Sequence, residues 1–107
     1  GTVGGIVGII RDGSSIEKAY ATGTLEGGSN VGGIVGWNYS NEASTIKNVY
    51  STSNIHGKDK VGGIVGYVNK PDIGHKIENA LVKGEIKGTT HVGAISGTEF
   101  SNASNDI

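Results

Sequence analysis

Val31-Gly32-Gly33-Ile34-Val35-Gly36 is a glycine-spaced apolar hexamer, and the same six residues stand at 3–8 and 61–66. A weaker copy, Val92-Gly93-Ala94-Ile95-Ser96-Gly97, follows. Neither common reading of such a stretch fits. A dinucleotide fingerprint needs G-x-G-x-x-G between one strand and one helix, whereas the order here is G-G-x-x-G and no helical pattern follows. A membrane-spanning helix needs about 18 or more consecutive apolar residues, and the longest run is Val3–Ile10. Recurrence is the informative feature, so the period decides the fold.

The valine anchors Val3, Val31, Val61 and Val92 are 28, 30 and 31 residues apart. Ile16, Ile46 and Ile77 each precede the next anchor by 15 residues. All length variation therefore lies in 9–15, 37–45 and 67–76, which hold the turn residues Asp12-Gly13, Asn41 and Pro71-Asp72. These read as loops. In the constant half, matched positions carry Ala19, Val49 and Ala80, then Tyr20, Tyr50 and Leu81, then Leu25, Ile55 and Ile86, and Gly27, Gly57 and Gly88.

Composition agrees with strands. Thirteen isoleucines and ten valines stand against two leucines and six alanines, with twenty glycines and one proline among 107 residues. A strand-only unit of about 30 residues cannot bury its apolar face alone and must stack on its neighbours. The expected fold is an all-β, parallel, right-handed β-solenoid of about three and a half coils (3–30, 31–60, 61–91 and a partial 92–107). Val31, Val61, Leu25, Ile55 and Ile86 are expected inside. The recurring glycines are expected at positive-φ corners or at close approaches between coils. In one straight strand, Val31 and Val35 would share a face opposite Ile34, so the second face would need cover from a loop, a cap or a neighbouring module. Stacking also makes ladders of matched positions: Glu17/Lys47/Glu78 alternates in sign, and Glu26/His56/Lys87 avoids like charges.

Gly-Ile-Val-Gly after Val-Gly, trailed by I-x-N-x-Y-x-T from Ile46 to Thr52, resembles the GLUG motif. The resemblance covers nearly the whole chain. It implies a repeat region of a secreted or surface-attached bacterial protein, as in streptococcal zinc metallopeptidases that cleave immunoglobulin A1 and in filamentous-haemagglutinin-like adhesins. Isoleucine replaces the usual leucine, Leu81 replaces the tyrosine, and the fourth copy carries Ala94 and Ser96.

Catalytic chemistry finds little support in the residues. His56, His75 and His91 do not form His-Glu-x-x-His, so no zinc-peptidase site is expected in this stretch. The histidines are expected to face solvent, without a metal or cofactor. The ten acids are scattered rather than paired for glycoside hydrolysis, which disfavours a polysaccharide-cleaving solenoid. No aspartate follows the Gly-Gly pairs as in calcium-binding repeats. A net charge of −1 with mixed signs argues against a nucleic-acid partner, and nothing suggests membrane insertion. The expected role is a non-catalytic structural or presentation module beside other modules of its parent. The alternative is adhesion to a host protein, such as immunoglobulin, or to a glycan. Its candidate contacts are Trp37, Tyr39, Tyr67 and His75 in loops 37–45 and 67–76. Trp37 and Tyr67 share one slot, so they form either a ladder covering a corner or an exposed contact patch. Tyr20 and Tyr50 are expected to pack. Of the two ends, the N-terminal coil is expected to be the association-prone edge, and Ile107 falls in the isoleucine slot of a fourth coil.

Overall fold

The computed structural model describes residues 2–11, 13–69 and 73–98. These residues form thirteen strands and no helix. The first repeat holds β1 (Val3–Gly4), β2 (Val7–Ile10), β3 (Ser15–Ala21) and β4 (Thr24–Glu26). The second holds β5 (Ser29–Gly32), β6 (Val35–Asn38), β7 (Thr45–Ser51) and β8 (Asn54–His56). The third holds β9 (Asp59–Gly62), β10 (Val65–Val68), β11 (Lys76–Val82) and β12 (Ile86–Lys87), and β13 (Thr90–Gly93) opens a fourth. Every pairing is parallel and joins the same strand of successive repeats: β1-β5-β9-β13, β2-β6-β10, β3-β7-β11 and β4-β8-β12. The repeats are therefore stacked one strand spacing apart.

The register is the one the anchors predict. Val3, Val31, Val61 and Val92 align, as do Ile16, Ile46 and Ile77, and Leu25, Ile55 and Ile86. Like residues therefore lie over like residues, and two apolar clusters run through the stack. The larger gathers Ile34, Val35, Ile46, Val49, Ile64, Val65, Val68 and Val82, among others. The smaller holds Val31, Ile55 and Val61, flanked by half-buried Leu25 and Ile86 at its two ends.

The hexamer is not one strand. It bends at Gly33 and Ile34 between β5 and β6, which removes the parity conflict of a straight strand. Val31 enters the smaller cluster, whereas Ile34 and Val35 enter the larger, and all three are fully buried. No separate cover is needed at this corner. Its backbone is stitched to the next repeat: the Ile64 carbonyl accepts both the Ile34 and Val35 N–H at 2.9 Å, and the Ile34 carbonyl accepts those of Ile6 and Val7. A β-carbon on Gly33 would run into the Gly63 carbonyl oxygen and the Ser51 hydroxyl, so this glycine serves close approach rather than positive φ.

Of the two expected uses of the hexamer glycines, close approach is the one found, and positive φ falls elsewhere. Lys18, Asn48 and Asn79 form one left-handed rank, and Asn30, Lys60 and His91 form another. Asparagine is among the few residues that tolerate this region, and across the repeats the Asn79 amide donates to Asn48 Oδ1 at 2.9 Å. The left-handed residue shifts the phase of the long strand. Ile46 and Val49, three residues apart, both point inward, and Tyr50 points out.

The loops are shorter than the variable stretches. Ile9 and Ile10, Trp37 and Asn38, and Tyr67 and Val68 belong to strands. Residues 99–107, with Ile107, Glu99, Asn102, Asn105 and Asp106, lie outside the described residues, as do Asp12 and Pro71-Asp72.

Candidate functional site

Strand β6 places Trp37 on the outer surface and the next residue, Asn38, inside. Trp37 is in register with Ile9 below and Tyr67 above. The Trp37 and Tyr67 rings stack with centroids 5.7 Å apart and planes 20° from parallel. Tyr39 meets Trp37 edge-on at 4.8 Å. Cations close both flanks: the Arg11 guanidinium lies 5.3 Å from the Tyr39 ring centroid, and Lys60 Nζ lies 5.2 Å from that of Tyr67. Trp37 and Tyr67 are half-buried, whereas Tyr39 reaches solvent. Three of the four candidate contact residues therefore form one aromatic ladder with two positive ends.

His75 does not join them. It is only 1% exposed, contrary to the expectation of a solvent-facing histidine. The Ser44 backbone N–H donates to its Nδ1 at 3.1 Å, so Nε2 carries the proton and donates to the Asn69 carbonyl at 3.3 Å. The Asn38 amide donates to Ser44 Oγ at 2.7 Å. Burial therefore holds the His75 pKa below its ordinary value, a shift partly offset by the bond to Asn69. Ser44 Oγ lies 2.9 Å from Nδ1, the spacing of a nucleophile and its base. Both residues are buried, and Ser44 Oγ also accepts from Asn38, so the pair ties residues 38–44 to Asn69 and His75. The reason sequence reading placed His75 outside is that polar loops usually face water; here the inner side of β6 carries Asn38, which supplies a polar interior for an imidazole.

The other histidines meet carboxylates. His56 Nε2 is 3.3 Å from Glu85, and Lys87 approaches the same oxygen at 3.5 Å. The ladder Glu26/His56/Lys87 exists in register, but the close carboxylate is Glu85 rather than Glu26. Asp59 accepts from Lys60 at 2.7 Å, from the Thr90 hydroxyl at 2.7 Å and lies 2.6 Å from His91 Nδ1. Those bonds hold its carboxyl well below the usual carboxylate range, the bond to Lys60 most of all. Among the described residues no three His, Asp or Glu side chains converge as a metal site.

Sequence reading missed one surface. Tyr20, Tyr50 and Leu81 are in register on the outer face of β3-β7-β11 and are 59%, 42% and 49% exposed, not packed inside. The two tyrosine rings stack at 5.0 Å and 8°. The left-handed backbone at Lys18, Asn48 and Asn79 turns the next residue (Ala19, Val49, Ala80) inward and the one after it outward. An open recess of about 300 Å³, lined by Gly84, Ile86, Val92, Gly93 and Ala94, lies near the other end of the stack.

A family model for the GLUG motif matches residues 1–26 and 27–55, just over half of the chain. No curated protein and no solved structure matches it.

Proposed function

Because the chain belongs to the GLUG-motif family, we propose that it is a right-handed β-solenoid acting as a non-catalytic structural or presentation module of an extracellular bacterial protein. The observation that carries this reading is the parallel register in all four sheets. Each repeat pairs all its strands with those of its neighbours and shares its apolar clusters with them, which suits a stacked repeat array. The chemistry-bearing side chains support it too: Ser44, His75 and Asp59 are engaged in bonds between repeats. An immunoglobulin A1-cleaving metallopeptidase is the parent the resemblance suggests, with its reaction carried by other modules.

A second reading, adhesion to a host protein or glycan, is favoured by the exposed Tyr39 beside Arg11 at the rim of the aromatic ladder. The purified chain should be incubated with immunoglobulin A1 and with a glycan panel. The module reading predicts neither saturable binding nor cleavage. Saturable binding lost in Tyr39→Ala would transfer the assignment to adhesion, and turnover of either substrate would overturn the non-catalytic role.

A further inference from the structure

The N-terminal face of the stack carries the residues of an interior repeat. Ile6 is 47% exposed, whereas Ile34 and Ile64, at the same place in later repeats, are fully buried. Any end of a stack would show that much. Gly8 is more informative. At its rank, a β-carbon on Gly36 would come within 2.7 Å of Thr2 Cγ2 and 2.8 Å of the Val3 carbonyl oxygen. One on Gly66 would come within 2.6 Å of Val31 N and 2.7 Å of the Gly36 oxygen, and one on Gly97 would strike the Gly66 oxygen. Each obstruction includes the backbone of the preceding repeat. Around Gly8 no described atom lies within 4 Å, and its φ is not left-handed. Neither space nor conformation explains a glycine in β2, where it weakens a strand. The Ile6 carbonyl has the same character: its counterparts at Ile34 and Ile64 each accept two N–H groups from the preceding repeat, and among the described residues it accepts none.

We propose that this face is a docking seat for one further repeat of the same kind, supplied in line ahead of residue 1, and that Gly8 is the residue that admits it. The incoming strands would set a valine over Val3, two N–H groups over the Ile6 carbonyl and an isoleucine over Ile16. Their backbone would cross the space that a β-carbon on Gly8 would fill. The inference rests on the stacked reading above, not on the extracellular role.

The test is an extended chain with a second copy of residues 31–58 placed ahead of Gly1, which keeps an isoleucine 15 residues before Val3 and a 30-residue repeat. Melting temperature should rise, and amides of residues 3–10 should exchange about tenfold slower or more. Gly8→Ala should leave the 107-residue chain unchanged yet lower the melting temperature of the extended one, as Gly36→Ala does in both. No slowing on extension, or an equally mild Gly8→Ala in both chains, would overturn the seat. Concentration-dependent association of the unextended chain, abolished by Gly8→Ala, would give the face to a second copy and overturn the in-line occupant. In each of these failures, slow exchange across 31–66 would leave the stacked reading intact.

Discussion

The apolar ranks in the constant half of the second repeat and the variable stretch beside them are buried by different chemistry. In the constant half, Ile46, Val49 and Ile55 lie between residues of the same kind in the repeats above and below. In the variable stretch, Asn38, Ser40 and Ser44 are equally buried, but polar, and two of them meet a histidine from the next repeat or its hydrogen-bond partner. Apolar neighbours let such a rank extend without new information. A polar pair such as Ser44 and His75 cannot, because a buried donor needs an acceptor of matching geometry.

The largest expected effect is at the hexamer corner, where the constant half has no room. Gly33→Val should lower stability by more than about 4 kcal/mol, because a side chain would force the Gly63 backbone away. Denaturant titration measures it, and a loss below 1 kcal/mol would mean the repeats are not in contact there. Next comes the apolar rank: Ile46→Ala should cost about 2–5 kcal/mol, and Ile16→Ala, half-buried at the end of the same rank, clearly less. Equal losses would break the claim that neighbours supply the burial. In the variable stretch, Ser44→Ala should cost about 1–3 kcal/mol, since it leaves the buried Asn38 amide without its acceptor.

A smaller effect distinguishes the polar pair by pH. Burial lowers the His75 pKa from 6.5, so the unfolded chain takes up a proton before the folded one. The contribution is complete above about pH 6.5 and falls as the pH drops below it, until the native imidazole also protonates. His75→Gln should flatten that dependence in thermal melts across this window, whereas the exposed His91 offers no such burial. The smallest effect is at the surface. Asp59→Asn should lower the melting temperature slightly and less at high salt, because its partners Lys60, Thr90 and His91 sit in screened surroundings.

The same contrast governs what could be read from sequence. The alignments Ile16/Ile46/Ile77 and Val3/Val31/Val61/Val92 were legible because parallel stacking demands a constant count between like residues. The bend inside the hexamer was not, since glycine pairs signal close approach and turns alike, and simple alternation across Val31, Ile34 and Val35 pointed to a straight strand. Nor was the outward turn of Tyr20 and Tyr50, which depends on a left-handed backbone at Lys18 and Asn48 that lysine does not advertise. Trp37 and Tyr67 were legible as neighbours because they share a slot, and the structure stacks them. His75 was misplaced because its partners come from 31 residues earlier, at Ser44, and from Asn69. Contacts between unlike residues across repeats leave no periodic trace.

The central claim is that burial comes from stacked neighbours, and amide exchange across the chain tests it most directly. The account predicts slow exchange in residues 31–66, where β5 to β9 each have a strand partner on both sides and Val65 is bridged to Ser96, and faster exchange in 3–10 and 90–98 at the two ends. Exchange in 31–66 as fast as at the ends would contradict it.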